Sequence, residues 1–276
     1  MESTHMKAFP DAEARVLERK GCPLHFWLVG DADRPLLVLT HGAGLDHGMW
    51  RDNVAALAEH HRVLLWDVRG HGLSRPMGTR FTVETAIDDM VALLDAISAP
   101  PAIFVGQSMG GNLSQELVRR HPGRVRALVL VDCACNTAEL TLLERFGVAI
   151  TPAMLQLYPL EALIRHSAQS ITSVESVRVY CREAMRRLEK LEMRDVMLAA
   201  LGCMRDEPDY RIPKPFVLVR GAKSRAGSIA RQGPPWARRE PLCRGDVVIA
   251  DANHCVNMDA PAAFNAAVLS FLAGLS

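Results

Sequence analysis

The segment Ile103–Gly111, reading Ile-Phe-Val-Gly-Gln-Ser-Met-Gly-Gly, constrains this chain more than any other stretch. A short apolar run ends in Gly106-Gln107-Ser108-Met109-Gly110, and helical spacing follows at once from Asn112 to Arg120. Strand, tight turn and helix in that order are the setting in which a G-x-S-x-G pentapeptide presents its serine at the end of a sheet strand. A serine on so sharp a turn takes a strained backbone conformation, and neighbours carrying a Cβ would clash there. Gly106 and Gly110 remove those clashes, and Gly111 lets the helix approach the sheet. Ser108 then stands at a helix N-terminus, where backbone N–H groups can face developing negative charge. The plainer alternative is a Gly-rich strand–helix turn with a solvated serine, and the rest of the chain decides between the two.

Around this turn, apolar runs alternate with helical patterns. Residues 14–20 and 24–29 read as two strands joined by the hairpin-like turn Gly21-Cys22-Pro23. Pro35–Thr40, Arg62–Trp66, Ala102–Val105 and Ala127–Val131 are continuous apolar runs, as expected of strands buried on both faces of a parallel sheet. Helical spacing at Trp50–Glu59 and Thr82–Ile97 falls between them, which predicts a doubly wound α/β sheet. The alternation stops at about residue 136. From there to 212 the pattern is helical, over Leu140–Val148, Glu161–Gln169, Val174–Lys190 and Arg194–Cys203. Strands resume at Phe216–Val219 and Asp246–Ala250, and Pro261 opens a terminal helix.

Composition bounds the function classes. A chain of 276 residues with 49% hydrophobic content is long and apolar enough for one large α/β domain. A net charge of +1 with interspersed signs suggests neither a nucleic-acid nor a membrane surface, so the expected partner is a small-molecule substrate; the oligomeric state stays open. The cluster Arg225, Arg231, Arg238 and Arg239 reads as a solvated loop. Seven cysteines without metal-ligand spacing suggest a reducing, cytoplasmic setting and no metal. No apolar run is long enough to span a bilayer, the first twenty residues lack a signal-peptide core, and Met1–His5 reads as partly vector-derived.

Three further motifs bear on Ser108. His41-Gly42-Ala43-Gly44 follows a buried strand, and its backbone can turn an N–H toward the serine, with the Met109 N–H as second donor of an oxyanion hole. His41 itself reads as structural. Asp67-Val68-Arg69-Gly70-His71-Gly72-Leu73-Ser74 suits a tight, internally bonded loop. A serine hydroxyl needs a general base near neutral pH, and histidine is the usual one. After Ser108 the chain offers His121, His166 and His254. His121 lies far along the helix and His166 in the helical insertion, which leaves His254, just after the last strand.

These motifs together resemble the α/β-hydrolase superfamily over nearly the whole chain. The resemblance implies an eight-stranded, mostly parallel sheet with helices on both faces and a helical cap after strand six. The cap would be residues 136–212, and residues 1–135 and 213–276 the core. It also implies a Ser–acid–His hydrolase without a cofactor, and it leaves the substrate open.

One departure from the family pattern stands out. Most relatives place the triad acid in a Gly-x-x-Asp turn after strand seven, and here that turn reads Gly221-Ala222-Lys223-Ser224. Three readings follow. Asp132, ending strand six, supplies the acid, as in some members of the superfamily; or Asp251, near His254, does; or the acid is missing and activity is impaired. Asp132 is preferred, and on that reading Ser224 itself is expected to matter little.

The sequence therefore points to a serine hydrolase of small, apolar carboxylic esters or lactones. Ser108 is the nucleophile, His254 the base, Asp132 the acid, and the Ala43 and Met109 amides form the oxyanion hole. Met154, Leu155, Leu157, Leu160 and Leu163, with Met and Leu residues of 184–204, are candidates for the pocket wall or the cap core. A carbon–carbon bond hydrolase on the same scaffold and a non-catalytic ligand-binding protein are the rival readings. Dehalogenase and epoxide hydrolase chemistry is disfavoured, because on this scaffold both typically use an aspartate where Ser108 stands.

Overall fold

Continuous apolar runs become sheet strands because each is covered on both faces. The computed structural model describes Phe9 and residues 12–275, so the reading of Met1–His5 falls outside it, as does half of the segment searched for a signal peptide. Eight strands are present: β1 (Glu13–Arg19), β2 (Cys22–Val29), β3 (Leu36–Thr40), β4 (Arg62–Trp66), β5 (Ala102–Gln107), β6 (Val125–Val131), β7 (Phe216–Gly221) and β8 (Cys243–Ile249). They form one sheet in the order β1-β2-β4-β3-β5-β6-β7-β8. β1 and β2 run antiparallel at one edge, and the pairings from β4 through β3 to β8 are parallel. Every residue of β3, β5 and β7 is buried.

Ten α-helices complete the described chain: α1 (Arg51–Ala58), α2 (Val83–Ala96), α3 (Met109–Arg120), α4 (Leu142–Leu157), α5 (Leu160–Ile171), α6 (Glu175–Met185), α7 (Lys190–Gly202), α8 (Ile229–Arg239), α9 (Val256–Asp259) and α10 (Pro261–Ala273). Helices flank the sheet, α1 packing with α10 and α2 with α3. β3 is the point where strand order reverses, with β4 on one side and β5 on the other. In open α/β sheets the crevice beyond the strand C-termini at such a point is where ligands bind. The segments after β3 and β5 are the loop at His41 and the turn at Ser108.

The helices differ from their sequence pattern in three places, two in the insertion and one in α8. The pattern over Val174–Lys190 is broken between α6 and α7, because Glu189 caps α7 in a reciprocal box with Glu192. α4 runs on to Leu157 through Pro152, started by a box between Thr141 and Glu144. Three of the four clustered arginines, expected in a solvated loop, lie on α8 instead. That helix was hidden because Gly233-Pro234-Pro235 reads as a breaker. Packing overrides the local signal: Trp236 lies against Phe216 of β7, and Arg220 backs onto Gly233.

The loop after β4 is bound from inside. Arg69, fully buried, donates to both oxygens of Asp89 on α2 at 2.7 and 2.8 Å, and to the carbonyls of Met77 and Arg19. Among the described residues no helix is long and apolar enough to cross a membrane. All seven cysteines are free thiols.

Removing one member of a buried ion pair leaves the other charged and unpaired, a loss of about 3–5 kcal/mol. Asp89→Ala is therefore expected to lower the melting temperature by roughly 10 °C, measurable by calorimetry, whereas Lys20→Ala, which removes an exposed partner of Asp88, should leave it nearly unchanged.

Candidate active site

Ser108 sits between β5 and α3 with φ +51° and ψ −115°, a left-handed conformation for a residue with a side chain. The neighbouring glycines make this turn possible. A Cβ on Gly106 would collide with the backbone of Gly110, and one on Gly110 with the carbonyl of Thr40. The Ser108 N–H donates to Val131 O at 2.9 Å, which fixes the turn against the end of β6.

His254 comes from the loop between β8 and α9, and Asp132 from the end of β6. The structure brings both to Ser108. His254 Nε2 lies 2.9 Å from Ser108 Oγ, and His254 Nδ1 lies 2.8 Å from Asp132 Oδ1. A carboxylate can only accept here, so Nδ1 carries the proton and Nε2 presents a lone pair to the serine hydroxyl. Asp132 is completely buried and its backbone has φ +40°. Its N–H donates to Val219 O at 2.8 Å, which pins it to β7.

Ser224, at the position where the family pattern has an aspartate, is joined to this carboxylate. Its hydroxyl donates to Asp132 Oδ1 at 2.7 Å, and the Gly221 N–H donates to Oδ2 at 2.8 Å. Ser224 therefore has a structural part that the sequence did not show: a buried carboxylate needs donors, and Ser224 is one of them. Asp251 is placed elsewhere. It is exposed and pairs with Lys223 at 3.2 Å.

Two further residues hold His254, and neither was read from the sequence. Gln107 donates from Nε2 to the His254 carbonyl at 3.0 Å, and Asn253 Oδ1 accepts from the His254 N–H at 2.8 Å. The Asn253 N–H donates in turn to Asp259 Oδ2 at 2.9 Å. The x of a G-x-S-x-G turn carries no signal in a single sequence, so Gln107 was legible only as a turn residue.

The loop after β3 lies against the serine. A Cβ on Gly42 would stand 3.4 Å from Ser108 Cβ. The Gly44 amide is engaged by His71 Nε2 at 3.1 Å and the Leu45 amide by Gly42 O at 3.1 Å. Ala43 lies between these fixed points. Met109 N is the first amide of α3, beyond reach of any i−4 carbonyl of its own helix. His41 is structural, as read: its Nε2 accepts from the Val68 N–H at 2.9 Å and its Nδ1 lies 2.8 Å from Gly42 O. Burial pushes its pKa down. The Asp67–Ser74 loop is also structural. Asp67 Oδ1 lies 2.8 Å from His47 Nδ1, and Oδ2 accepts from the Leu73 N–H at 2.7 Å. Burial alone would raise the Asp67 carboxyl, but the His47 ring and these hydrogen bonds outweigh it and hold the carboxyl at about 2.

A cavity of about 580 Å³ opens above Ser108 and His254. Leu140, Val148, Leu201, Met204 and Ile229 supply much of its apolar wall, and Glu144 and Arg231, paired at 2.5 Å, join α4 to α8 beside it. The wall thus comes from α4, α7 and α8. Of the candidates for pocket wall or cap core, Leu201 and Met204 line the cavity, Leu155 is buried, and Met154 and Leu157 stand in solvent. Arg239, also on α8, pairs with Glu240 and Thr137. No group of three His, Cys, Asp or Glu side chains among the described residues is disposed to hold a metal ion.

Comparison with known proteins identifies the fold family. The family model described as "alpha/beta hydrolase fold" covers residues 35–200. RutD of Caulobacter sp. (strain K31), a proposed carbamate hydrolase, is 30% identical over 255 residues, which are 88% of this chain and 92% of that one. 3-Oxoadipate enol-lactonase 2 of Acinetobacter baylyi is 32% identical over 116 residues, 42% of this chain and less than half (43%) of the relative. Among solved structures, the enol-lactonase of Burkholderia xenovorans LB400 superposes with a TM-score of 0.79 at 26% identity, covering 94% of this chain and 100% of its own.

Burial, then the neighbouring His41, pushes the His71 pKa down to about 3. Its ring should therefore stay neutral across the whole range in which an ordinary histidine titrates. Nitrogen-15 NMR of the imidazoles is expected to show the His71 ring flat down to that acid limit. A midpoint for His71 near neutral pH would contradict the buried, bonded ring seen here.

Proposed function

The chain belongs to the alpha/beta hydrolase fold family, and we propose that within it the protein is a serine hydrolase of small, apolar carboxylic esters or lactones. The reading rests on one observation above all: the Ser108 Oγ, His254 and Asp132 relay, at 2.9 and 2.8 Å, at the floor of an apolar cavity. We read residues 136–212 as a cap over a core formed by 1–135 and 213–276, because α4 and α7 wall that cavity.

Ser108 Oγ attacks the substrate carbonyl carbon while His254 Nε2 takes its proton. The carbonyl oxygen becomes an oxyanion, held by the Ala43 and Met109 amides and favoured by the N-terminus of α3. His254 returns the proton to the leaving alkoxide. In a lactone that alkoxide stays tethered to the acyl group. Water, deprotonated by His254, then attacks the acyl-enzyme; the bond to Ser108 Oγ breaks, His254 returns the proton to Oγ, and the acid is released. Throughout, Asp132 keeps the proton on Nδ1 and stabilises the imidazolium, and Ser224 and Gly221 keep Asp132 in place.

The apolar wall with few polar anchors favours a small, uncharged acyl group. The likeness to enol-lactonases supports a cyclic ester as one substrate class, and the likeness to RutD extends the range to acyl groups on nitrogen. With Asp132 hydrogen-bonded to His254, Ser224 no longer argues for an impaired, merely ligand-binding protein.

A fluorophosphonate probe is expected to label the wild type but not Ser108→Ala, with short-chain p-nitrophenyl esters hydrolysed only by the former. Losing the acid in the serine-protease template costs about 10⁴ in rate, so Asp132→Asn should fall by several orders of magnitude. Ser224→Ala removes one charge-assisted donor and should cost roughly tenfold, with no further loss when added to Asp132→Asn. Labelling that survives in Ser108→Ala, or an inert Asp132→Asn, would sink these assignments.

A further inference from the structure

The outward face of α4 has no part in the proposed chemistry. Glu144, Gly147, Val148 and Thr151 of this helix line the cavity. On the adjacent, outward face Leu143, Phe146, Ile150, Met154 and Leu157 stand in solvent, with Leu143 at 80%, Phe146 at 62% and Leu157 at 81% exposure. From Phe146 to Leu157 the remaining exposed positions are Ala149, Pro152, Ala153 and Gln156, so this face carries no charge. With Leu142 these side chains leave on the order of 700 Å² of apolar surface, above the ~300–600 Å² of the largest patch on a typical monomer.

The spacing of the five residues is palindromic. Counted from Ile150 they fall at −7, −4, 0, +4 and +7. At about 100° per residue all lie within a stripe about 80° wide along a helix roughly 24 Å long. A stripe that reads the same in both directions matches its own copy when the copy is turned by a two-fold axis through its centre.

We propose that α4 is a homodimer interface, packing antiparallel on α4 of a second copy across a two-fold axis at Ile150. Leu143 then faces the partner subunit's Leu157, Phe146 faces the partner subunit's Met154, and the two Ile150 side chains meet at the axis. Every contact off the axis occurs twice, as an isologous interface requires. The apolar area available for burial approaches the ~800 Å² per partner that a standard stable interface covers. A lipid surface is a poorer occupant, because interfacial helices carry basic residues beside their apolar face, and Arg145 is the one cation of α4.

Sedimentation equilibrium on the full chain tests this. The wild type is expected to be a dimer. Phe146→Glu and Met154→Lys, both at exposed positions, should each weaken the dimer at least ~30-fold, with circular dichroism unchanged. Antiparallel pairing sets residue 146 against residue 154 of the other copy, so the double variant Phe146→Glu/Met154→Lys should regain the dimer through two reciprocal ion pairs. A wild type that is monomeric at ~100 μM, single variants that remain dimeric, or a double variant no better than either single variant would each overturn the proposal. So would a monomeric wild type that floats with phosphatidylcholine vesicles, which would give the stripe to lipid.

Discussion

Much of this structure depends on how one buried carboxylate is satisfied. Asp132 ends β6 with no exposure to water, and an ionised carboxyl there is tolerable only if donors surround it. Three do: the His254 ring, the Ser224 hydroxyl and the Gly221 amide. They come from two connections, the loop after β8 and the turn that closes β7. The same contacts that satisfy the charge therefore fix the register of three loops at one edge of the sheet. That edge also holds Ser108, whose N–H is tied to the last carbonyl of β6.

Strain at this edge is local and compensated. Ser108 and Asp132 both adopt positive φ without being glycine. Such conformations persist only where their surroundings over-determine them. For Ser108 the surroundings are Gly106 and Gly110, which let strand and helix close on the turn. For Asp132 they are the hydrogen bond to Val219 O and the donors on its side chain. A second, independent layer steadies the neighbouring loop. His41 and His71, neutral and buried, accept from the amides of Val68 and Gly44, while Asp67 gathers His47 and Leu73. The loop that bears Ala43 is thereby held in place before any substrate arrives, which is what electrostatic stabilisation of an oxyanion requires.

The substitution of Ser224 for the family's usual aspartate has a simple physical account. Two carboxylates facing one imidazole would repel each other, and one would have to hold a proton. With Asp132 supplying the charge from β6, the β7 turn is better filled by a donor. Ser224 is short enough to reach Oδ1 and donates rather than competes. The departure in sequence and the position of the buried carboxylate are therefore two sides of one arrangement.

The sequence by itself determined the parallel sheet, the turn at Ser108, the late histidine and the helical character of the segment between β6 and β7. Each of these is written in local terms: apolar runs buried on both faces, glycines where a Cβ cannot fit, and helical spacing between prolines. Asp132 was legible only as the better of two candidates, because a carboxylate at a strand end looks the same whether it caps a backbone or faces a histidine. Tertiary structure alone decided its partners, since Asp132, Ser224 and His254 lie far apart in the chain and meet only when β6, β7 and β8 align. It also decided the role of Gln107, the helix over Ile229–Arg239 and the outward face of Met154 and Leu157. In each case the deciding force is packing or hydrogen bonding between segments remote in sequence, which local pattern does not record.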